Sequence, residues 1–327
     1  MDPLTEILSS FQPHSTVLHR GRSTAPWGAE FDPRRHNGAD AAFHVVTEGE
    51  CFLELIDGAA EPIRLRTGDF VLLPHGPVHR LRDSLATPAR PIERVVRNAV
   101  RSSDGTVCFG GGGTVCGTVC GTFRLRHAAT NPLLSSLPPV LIVRGEQGKA
   151  VPWLEATLAF LACESASERP GADTVIARLC DILFIQAIRA HLEQLRTICP
   201  KSGASTPGWL AALQDPEIAR ALTAIHRHPE RNWTVETLAR EAASSRSTFA
   251  ARFSSVMGEP PLQYLTRWRV HRAAVLLHDS RLTVGEIAAR MGYASEAAFH
   301  RTYRRWTGET PGAVRRRSDR LPAFASG

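Results

Sequence analysis

The spacing of hydrophobic positions changes along this chain. Up to about residue 145 they fall in short alternating or continuous runs, FHVVTEG, CFLELID, GDFVLLP and VLIV. Turn pairs at Asp57-Gly58, Gly68-Asp69 and Gly76-Pro77 separate them. Such runs predict the strands of an antiparallel sandwich or small barrel. From about Pro152 the period becomes helical, in PWLEATLAFLACE and DTVIARLCDILFIQAIRAHLEQL. In the second segment Val175, Ile176, Leu179, Ile182, Leu183, Ile185 and Leu192 spread over a wide arc, wider than the stripe of a lone surface helix. That helix, 173–196, must be covered by the strand domain, by another chain, or by both. The stretch 199–208 is rich in Ser, Gly and Pro, lacks any period and reads as a linker. Helices then dominate from Pro216 to Pro311.

Within that last region one pattern occurs twice, about 50 residues apart. The first copy starts WTVETLAREAASSRSTFAARFSSVMGEPP at Trp233, and the second LTVGEIAARMGYASEAAFHRTYRRWTGETPGAVRRR at Leu282. Thr234 aligns with Thr283, Ser245 with Ser295, Phe249 with Phe299, Phe253 with Tyr303, and Gly258-Glu259 with Gly308-Glu309. A repeat of this kind is one supersecondary unit used twice. Each unit reads as a helix capped by a Thr, a turn, and a second helix capped by a Ser. A helix N-terminus can also donate to a phosphate. A longer helix, Pro261 to about His278, joins the two copies.

Helical geometry sorts the second helices into faces. Phe299, Tyr303 and Trp306 form a core stripe, which leaves Ala297, His300, Arg301, Arg304 and Arg305 outward. In the first copy Phe249 and Phe253 are core, and Ser247, Ala250, Ala251 and Ser254 face out with Arg246 and Arg252 at the flanks. An Arg can read guanine in the major groove with two hydrogen bonds, so the two outward faces differ in chemistry.

Composition sharpens this picture. The chain has 327 residues, 43% apolar and 22% charged, which suits two or three ordinary globular domains. Residues 218–327 hold 18 Arg, no Lys and 9 acidic residues, a charge of +9 against +7 for the whole chain. The rest is therefore slightly acidic, and a basic module on a near-neutral one suggests a polyanion partner. No stretch is long and apolar enough to span a bilayer. The start MDPLTEILSSFQPHS lacks the pattern of a secretory signal, so the expected location is the cytoplasm. An odd count of seven Cys, with no such signal, argues for reduced thiols.

The runs IAARMGY, SEAAFHRTYRRWTGETPGAVR and PPLQYLTRWRVHRAAVLL make the segment from about Ile218 to Arg317 resemble the DNA-binding domain of the AraC/XylS regulators. The resemblance implies a transcription regulator, usually an activator, that binds direct repeats in double-stranded DNA near a promoter and contacts RNA polymerase. Carried over by position, the reading helices start at Ser245 and Ser295. The expected contact set is Ser245, Arg246, Ser247, Thr248 and Arg252 on the first reader. On the second it is Ser295, Glu296, Ala297, His300, Arg301 and Arg304. Ala251 and Ala297 stand where family members often carry polar or charged residues, which weakens base contacts there. Arg301 and Arg304 are therefore expected to carry more of the specificity, with Arg246 and Arg252 positioned for phosphates.

The run Gly68-Asp69-Phe70-Val71-Leu72-Leu73-Pro74-His75-Gly76-Pro77-Val78-His79 resembles the second cupin motif. Of the first motif only His44 is evident, with Glu48 and Glu50 nearby and Val46 where a paired His would stand. With PWGAEF and NPLLSSLPPVLIV, this resembles the cupin-type sensor domains found ahead of AraC-type DNA-binding domains. His44, His79 and Trp27 are the expected ligand-pocket residues. A metal on His44, His75 and His79, and hence a cupin-type metal-dependent enzyme with an accessory DNA-binding module, is the alternative. A second candidate sensor is TVCFGGGGTVCGTVCGT, 106–122, with Cys108, Cys116 and Cys120 on what reads as a flexible, exposed, Gly-rich hairpin. Arg124 and Arg126 nearby would favour thiolate and oxidant or electrophile sensing. Otherwise these are incidental thiols, Cys120 being a small core residue. Cys51, Cys163 and Cys180 lie in apolar runs and read as inert core.

The expected architecture is multidomain α+β. A cupin-like β-barrel, 1–150, is followed by a helical dimerisation segment, 151–198, and a linker, 199–215. An all-α double helix-turn-helix domain, 216–320, completes it. The expected partners are DNA, RNA polymerase, a small-molecule or oxidant effector and a second copy of the chain.

Overall fold

The structure, a computed structural model, describes residues 14–35, 39–58, 60–103, 105–124, 131–145, 152–165, 169–198 and 208–320. The chain folds as two compact units, one formed by 13–125 with 137–194 and the other mainly by 195–327. Most of the expected linker, together with Cys199 and Arg126, lies outside the described residues.

The first unit holds strands β1 His14–Thr24, β2 Gly28–Phe31, β3 Ala41–Glu48, β4 Glu50–Leu55, β5 Ile63–Arg66 and β6 Phe70–Leu73. It continues with β7 His79–Arg82, β8 Arg90–Pro91, β9 Val100–Arg101, β10 Val107–Gly110, β11 Val115–Arg124 and β12 Leu141–Val143. They form a seven-stranded sheet, β12-β6-β3-β11-β1-β10-β9, and a five-stranded sheet, β5-β4-β7-β2-β8. Pairing is antiparallel except for β1 with β10 and β2 with β8. The expected barrel is therefore two sheets with open ends among the described residues. One core joins them: Ala42, Val46, Val71, Leu73, Cys116 and Cys120 from the larger sheet pack with Trp27, Phe31, Leu53, Leu55 and Leu81 from the smaller.

β4 alternates as a strand with one wet face should, burying Cys51, Leu53 and Leu55. β3 does not alternate, because every residue from Ala41 to Val46 is buried. Its other face carries Phe43 against Phe70 and Phe123, and Phe123 meets Phe184 edge-on at 4.9 Å. Phe184 belongs to the third of three helices, α1 Ile92–Arg97, α2 Pro152–Ser165 and α3 Ala172–Ile198. Ile176, Cys180, Leu183, Phe184, Ala187 and Ile188 on α3 are all buried. Each large apolar side chain so covered contributes about 1.5–3 kcal/mol. The sheet domain thus accounts for much of the apolar arc of α3, while Val175 and Ile182 remain exposed.

The second unit is helical: α4 Trp209–Ala212, α5 Pro216–Arg227, α6 Val235–Glu241, α7 Arg246–Met257, α8 Pro261–Asp279, α9 Val284–Arg290, α10 Glu296–Thr307 and α11 Pro311–Arg320. The repeat is exact at its caps. Thr234 and Thr283 each close a capping box, with Thr237 and Glu286 respectively. Ser245 and Ser295 each accept a backbone N–H three residues on. Gly258 and Gly308 end α7 and α10 at φ 74° and 78°, a conformation glycine adopts without a Cβ penalty.

α8 serves both copies. Its first half places Tyr264 edge-on to Phe253, and the Tyr264 hydroxyl bonds Trp209 Nε1 at 2.9 Å and His226 Nε2 at 2.7 Å. Its second half puts Val270, Ala273, Ala274 and Leu277 into one core with Ile287, Phe299 and Tyr303. Trp306 is half-buried at the edge of that core. Nineteen residues of continuous helix therefore hold the two copies of the repeat on one body.

Candidate functional site

On α10 the buried stripe is Phe299 and Tyr303, and Glu296, Ala297, Arg301, Arg304 and Arg305 are exposed. Arg301, Arg304 and Arg305 make no ion pair among the described residues. His300 is half-buried, with Nε2 3.4 Å from Glu296 Oε1 one turn earlier. On α7 the stripe is Phe249, Phe253 and Met257, and Ser245, Arg246, Ser247, Thr248, Ala251 and Arg252 are exposed. The first turn is knit together, with the Ser245 hydroxyl donating to Thr248 Oγ1 at 2.8 Å.

Arg252 departs from expectation. Its Nε donates to Asp215 Oδ2 at 2.6 Å and its Nη1 lies 3.5 Å from Glu217 Oε2. The hydrogen bond and charge of Asp215 raise its pKa further. The guanidinium is thus bound to carboxylates at the start of α5, whereas a phosphate role would need it released. Sequence reasoning missed this because Asp215 is 37 residues upstream. Among the described residues the reader arginines without an ion pair are Arg246 on α7 and Arg301, Arg304 and Arg305 on α10.

In the sheet domain His44 lies on the larger sheet and His79 on the smaller. Their Nε2 atoms are 2.7 Å apart, a hydrogen bond between the sheets. His79 Nδ1 is 2.8 Å from the Pro77 carbonyl, so it donates there and its Nε2 accepts. His44 is then the Nε2–H tautomer, which leaves its buried Nδ1 as an acceptor with no partner among the described residues. Phe31 stacks on His79 at 5.3 Å and meets His44 edge-on. Burial lowers both pKa values, His79 to about 4, and the proximity of His79 adds to the drop at His44. Both rings are neutral at pH 7.

The two Nε2 atoms share a proton, and no group of three or more ligating side chains converges among the described residues. His75, the expected third ligand, turns its Nε2 to the Leu137 carbonyl at 3.0 Å.

Trp27 sits apart from the histidines. It lines an apolar cavity with Ser23, Phe109 and Cys120, whereas His44 and His79 line a smaller one, and Cys120 borders both. The expected single pocket is thus two.

The thiol segment is not the exposed hairpin expected, and Cys120 takes the core position of the alternative reading. Cys116 and Cys120 are buried on β11, between β1 and β3, and Cys108 is half-buried on β10. Burial pushes the Cys120 thiol up to about 12, so the expected thiolate does not form. A hydrogen bond to Cys116, with burial, holds Cys51 well above the usual thiol range. Cys163, expected in the core, is exposed.

Comparison with known proteins places these features. Residues 2–193 match the family described as Cupin, and residues 238–317 the family described as Helix-turn-helix domain. A "Putative AraC-like transcription regulator" of Streptomyces lividans is 36% identical over 97% of this chain and 98% of its own length. The "RCS-specific HTH-type transcriptional activator RclR" of Escherichia coli (strain K12) is 30% identical over 98% of this chain and 99% of its own. The DNA-binding domain of AdpA, "the global transcriptional factor, in complex with a target DNA", is 39% identical over 33% of this chain and 99% of that one, with a TM-score of 0.31. The chain belongs to the AraC-type DNA-binding transcription regulators, with a cupin domain ahead of its paired helix-turn-helix region.

Proposed function

We propose that the protein activates transcription by binding direct repeats in double-stranded DNA as a homodimer, with α10 as the specifying reader and α7 as the positioning one. One observation carries this reading: Arg301 and Arg304 project from α10 without ion-pair partners among the described residues, while α7 offers small polar residues, Arg246 in its first turn and an Arg252 already held by Asp215. An Arg free to make two hydrogen bonds to guanine supplies about 1–3 kcal/mol of discrimination. Ser247, Thr248 and Arg246 suit phosphate contacts, which fix register and choose no sequence. Ser295, Glu296, Ala297 and His300 line the N-terminal part of the second reader, where a groove-inserted helix meets base edges.

The sheet domain is the sensor, and its signal is a small molecule held in the core between the sheets. Contact with RNA polymerase gives activation, in keeping with the activator named among the relatives. No helix among the described residues is long and apolar enough to cross a membrane, and the site of action is the cytoplasm. A second copy is joined through the helical segment 151–198, where Phe160, Val175 and Ile182 are exposed.

Selection of bound sequences from a random duplex library tests the reading. It predicts that each half-site of the repeat holds two elements about one helical turn apart, one strongly constrained and one weakly. Two equally constrained elements, or none, would overturn it.

A further inference from the structure

The two readers begin with opposite charges. The first residue of α7 is Arg246, and the first residue of α10 is Glu296. Glu296 is the only acidic residue on either reader. The preceding helices differ to match. In the first copy α6 carries Glu236, whose carboxyl is lowered chiefly by its hydrogen bond to Arg240 and further by Arg246. In the second copy the residue matching Glu236 is Gly285. A Cβ built on Gly285 would lie 3.0 Å from Glu296 Oε2, so the glycine leaves room for that carboxylate at the start of α9. On its other side Glu296 Oε1 is 3.4 Å from His300 Nε2, and the Glu296 side chain stays 55% exposed. The carboxylate therefore rests between Gly285 and His300 and remains open to an incoming donor.

We infer that Glu296 selects cytosine, its carboxylate accepting from the N4 amino group of one cytosine in the major groove. The inference rests on reading α10 as the specifying reader and adds the base that its first turn recognises. The chemistry of the base edges sets the class. An ionised carboxylate is an acceptor only, and the amino donors in the major groove are cytosine N4 and adenine N6. Adenine shows the acceptor N7 beside its amino group, which repels a carboxylate, while cytosine shows no acceptor there. Guanine and thymine offer only acceptors to hydrogen bonding in that groove. Glu296 therefore rewards one base and penalises the other three.

The base it reads is not one that the arginines read. Along the helix axis Glu296 stands about 7.5 Å from Arg301 and about 12 Å from Arg304. Base pairs rise about 3.4 Å each, so for a helix lying along the groove these spans exceed two and three steps. The charge also explains a cost. On a unit whose residues 218–327 carry +9, an exposed carboxylate weakens the attraction to phosphate that Arg246 strengthens at the same position of α7. The first residues of the two readers thus divide as the readers do, one positioning and one specifying.

The test is selection from a randomised duplex library, at one salt concentration, by the full chain as wild type, Glu296→Ala, Glu296→Gln and Arg301→Ala. Wild type should favour cytosine by about fivefold or more at one position, and Arg301→Ala should keep that preference. Glu296→Ala should lose it there and keep the preferences at other positions. Glu296→Gln should move it toward adenine, because an amide bonds adenine N6 and N7 together. Unchanged preference at every position in Glu296→Ala overturns the inference. So does an equal tightening or weakening of all sequences, which would make Glu296 a source of repulsion only. Arg301→Ala separates this failure from that of the underlying reading. Relaxed preference in Arg301→Ala alone leaves α10 as the reader and removes Glu296 from it, whereas unchanged preference in both variants refutes α10 as the specifying reader.

Discussion

Arg252 and Asp215 form a charge-assisted hydrogen bond of 2.6 Å between the first reader, α7, and the N-cap of α5. One of the two arginines flanking that reader is therefore occupied before DNA arrives. Arg246→Ala should lower the slope of log affinity against log salt by about one, the signature of a lost phosphate contact. Arg252→Ala should change it much less. Asp215→Asn keeps a good cap but frees Arg252, and should steepen the slope. Fluorescence anisotropy over a salt series measures all three. An equal loss in Arg246→Ala and Arg252→Ala would show that Arg252 leaves Asp215 on binding.

The left-handed residue of the turn differs between the two repeats, and this gives opposite mutational signs. Ala243 sits at φ 55°, where its counterpart Gly292 sits at φ 73°. Ala243→Gly should be neutral or stabilising, by up to about 1 kcal/mol, as the left-handed strain is relieved at some cost in chain entropy. Gly292→Ala meets both strain and crowding, because a Cβ there would lie 2.3 Å from the Glu230 carbonyl oxygen. It should destabilise by more than about 2 kcal/mol. Thermal unfolding of the two variants checks the contrast, and equal shifts would refute it.

The inter-sheet histidine pair makes stability depend on acidity. The folded pKa of His79, about 4, lies below its ordinary value of 6.5. The unfolded chain therefore takes up a proton first as pH falls, so stability is full above about 6.5 and declines toward 4. For one such group the loss between pH 7 and pH 5 is about 2 kcal/mol. His226, lowered to about 3 in the helical unit, acts in the same direction. His79→Gln removes one titration, and its urea midpoint should move less between pH 7 and pH 5 than that of the wild type. An identical movement would mean that the pair does not stay neutral.

Thiol reactivity follows burial. At pH 7.5 iodoacetamide should label Cys163 rapidly. Cys51, Cys116, Cys120 and Cys180, all buried, should react only on unfolding. Peptide mass spectrometry over time reads the order. Fast labelling of Cys116 or Cys120 in the folded chain would restore an accessible thiol switch on β11.

Local signals in the sequence were good guides to the helical unit. Thr234, Thr283, Ser245, Ser295, Gly258 and Gly308 act within one turn of themselves, so their caps were readable from spacing alone. Relationships across the fold were not. Arg252 and Asp215 are separated by two helices, and His44 and His79 meet only because β3 and β7 lie in different sheets. Gly117 misled for a physical reason. Glycine there reads as flexibility, yet a Cβ would come within 2.7 Å of Thr47 Oγ1. The small residue permits close strand packing, which draws Cys116 and Cys120 into the core. β3 concealed its partner helix in the same way, since a strand covered on both faces loses its alternation.

The unequal division of labour between α7 and α10 is tested most directly by base preference. The measurement is the position-by-position binding preference of wild type, Arg301→Ala, Arg304→Ala and Arg246→Ala on a randomised operator library at one salt concentration. The two α10 variants should each lose discrimination at one or two positions, by about 1–3 kcal/mol. Arg246→Ala should weaken all sequences alike. Uniform weakening by Arg301→Ala and Arg304→Ala, with relaxed preference in Arg246→Ala, would contradict the assignment of α10 as the specifying reader.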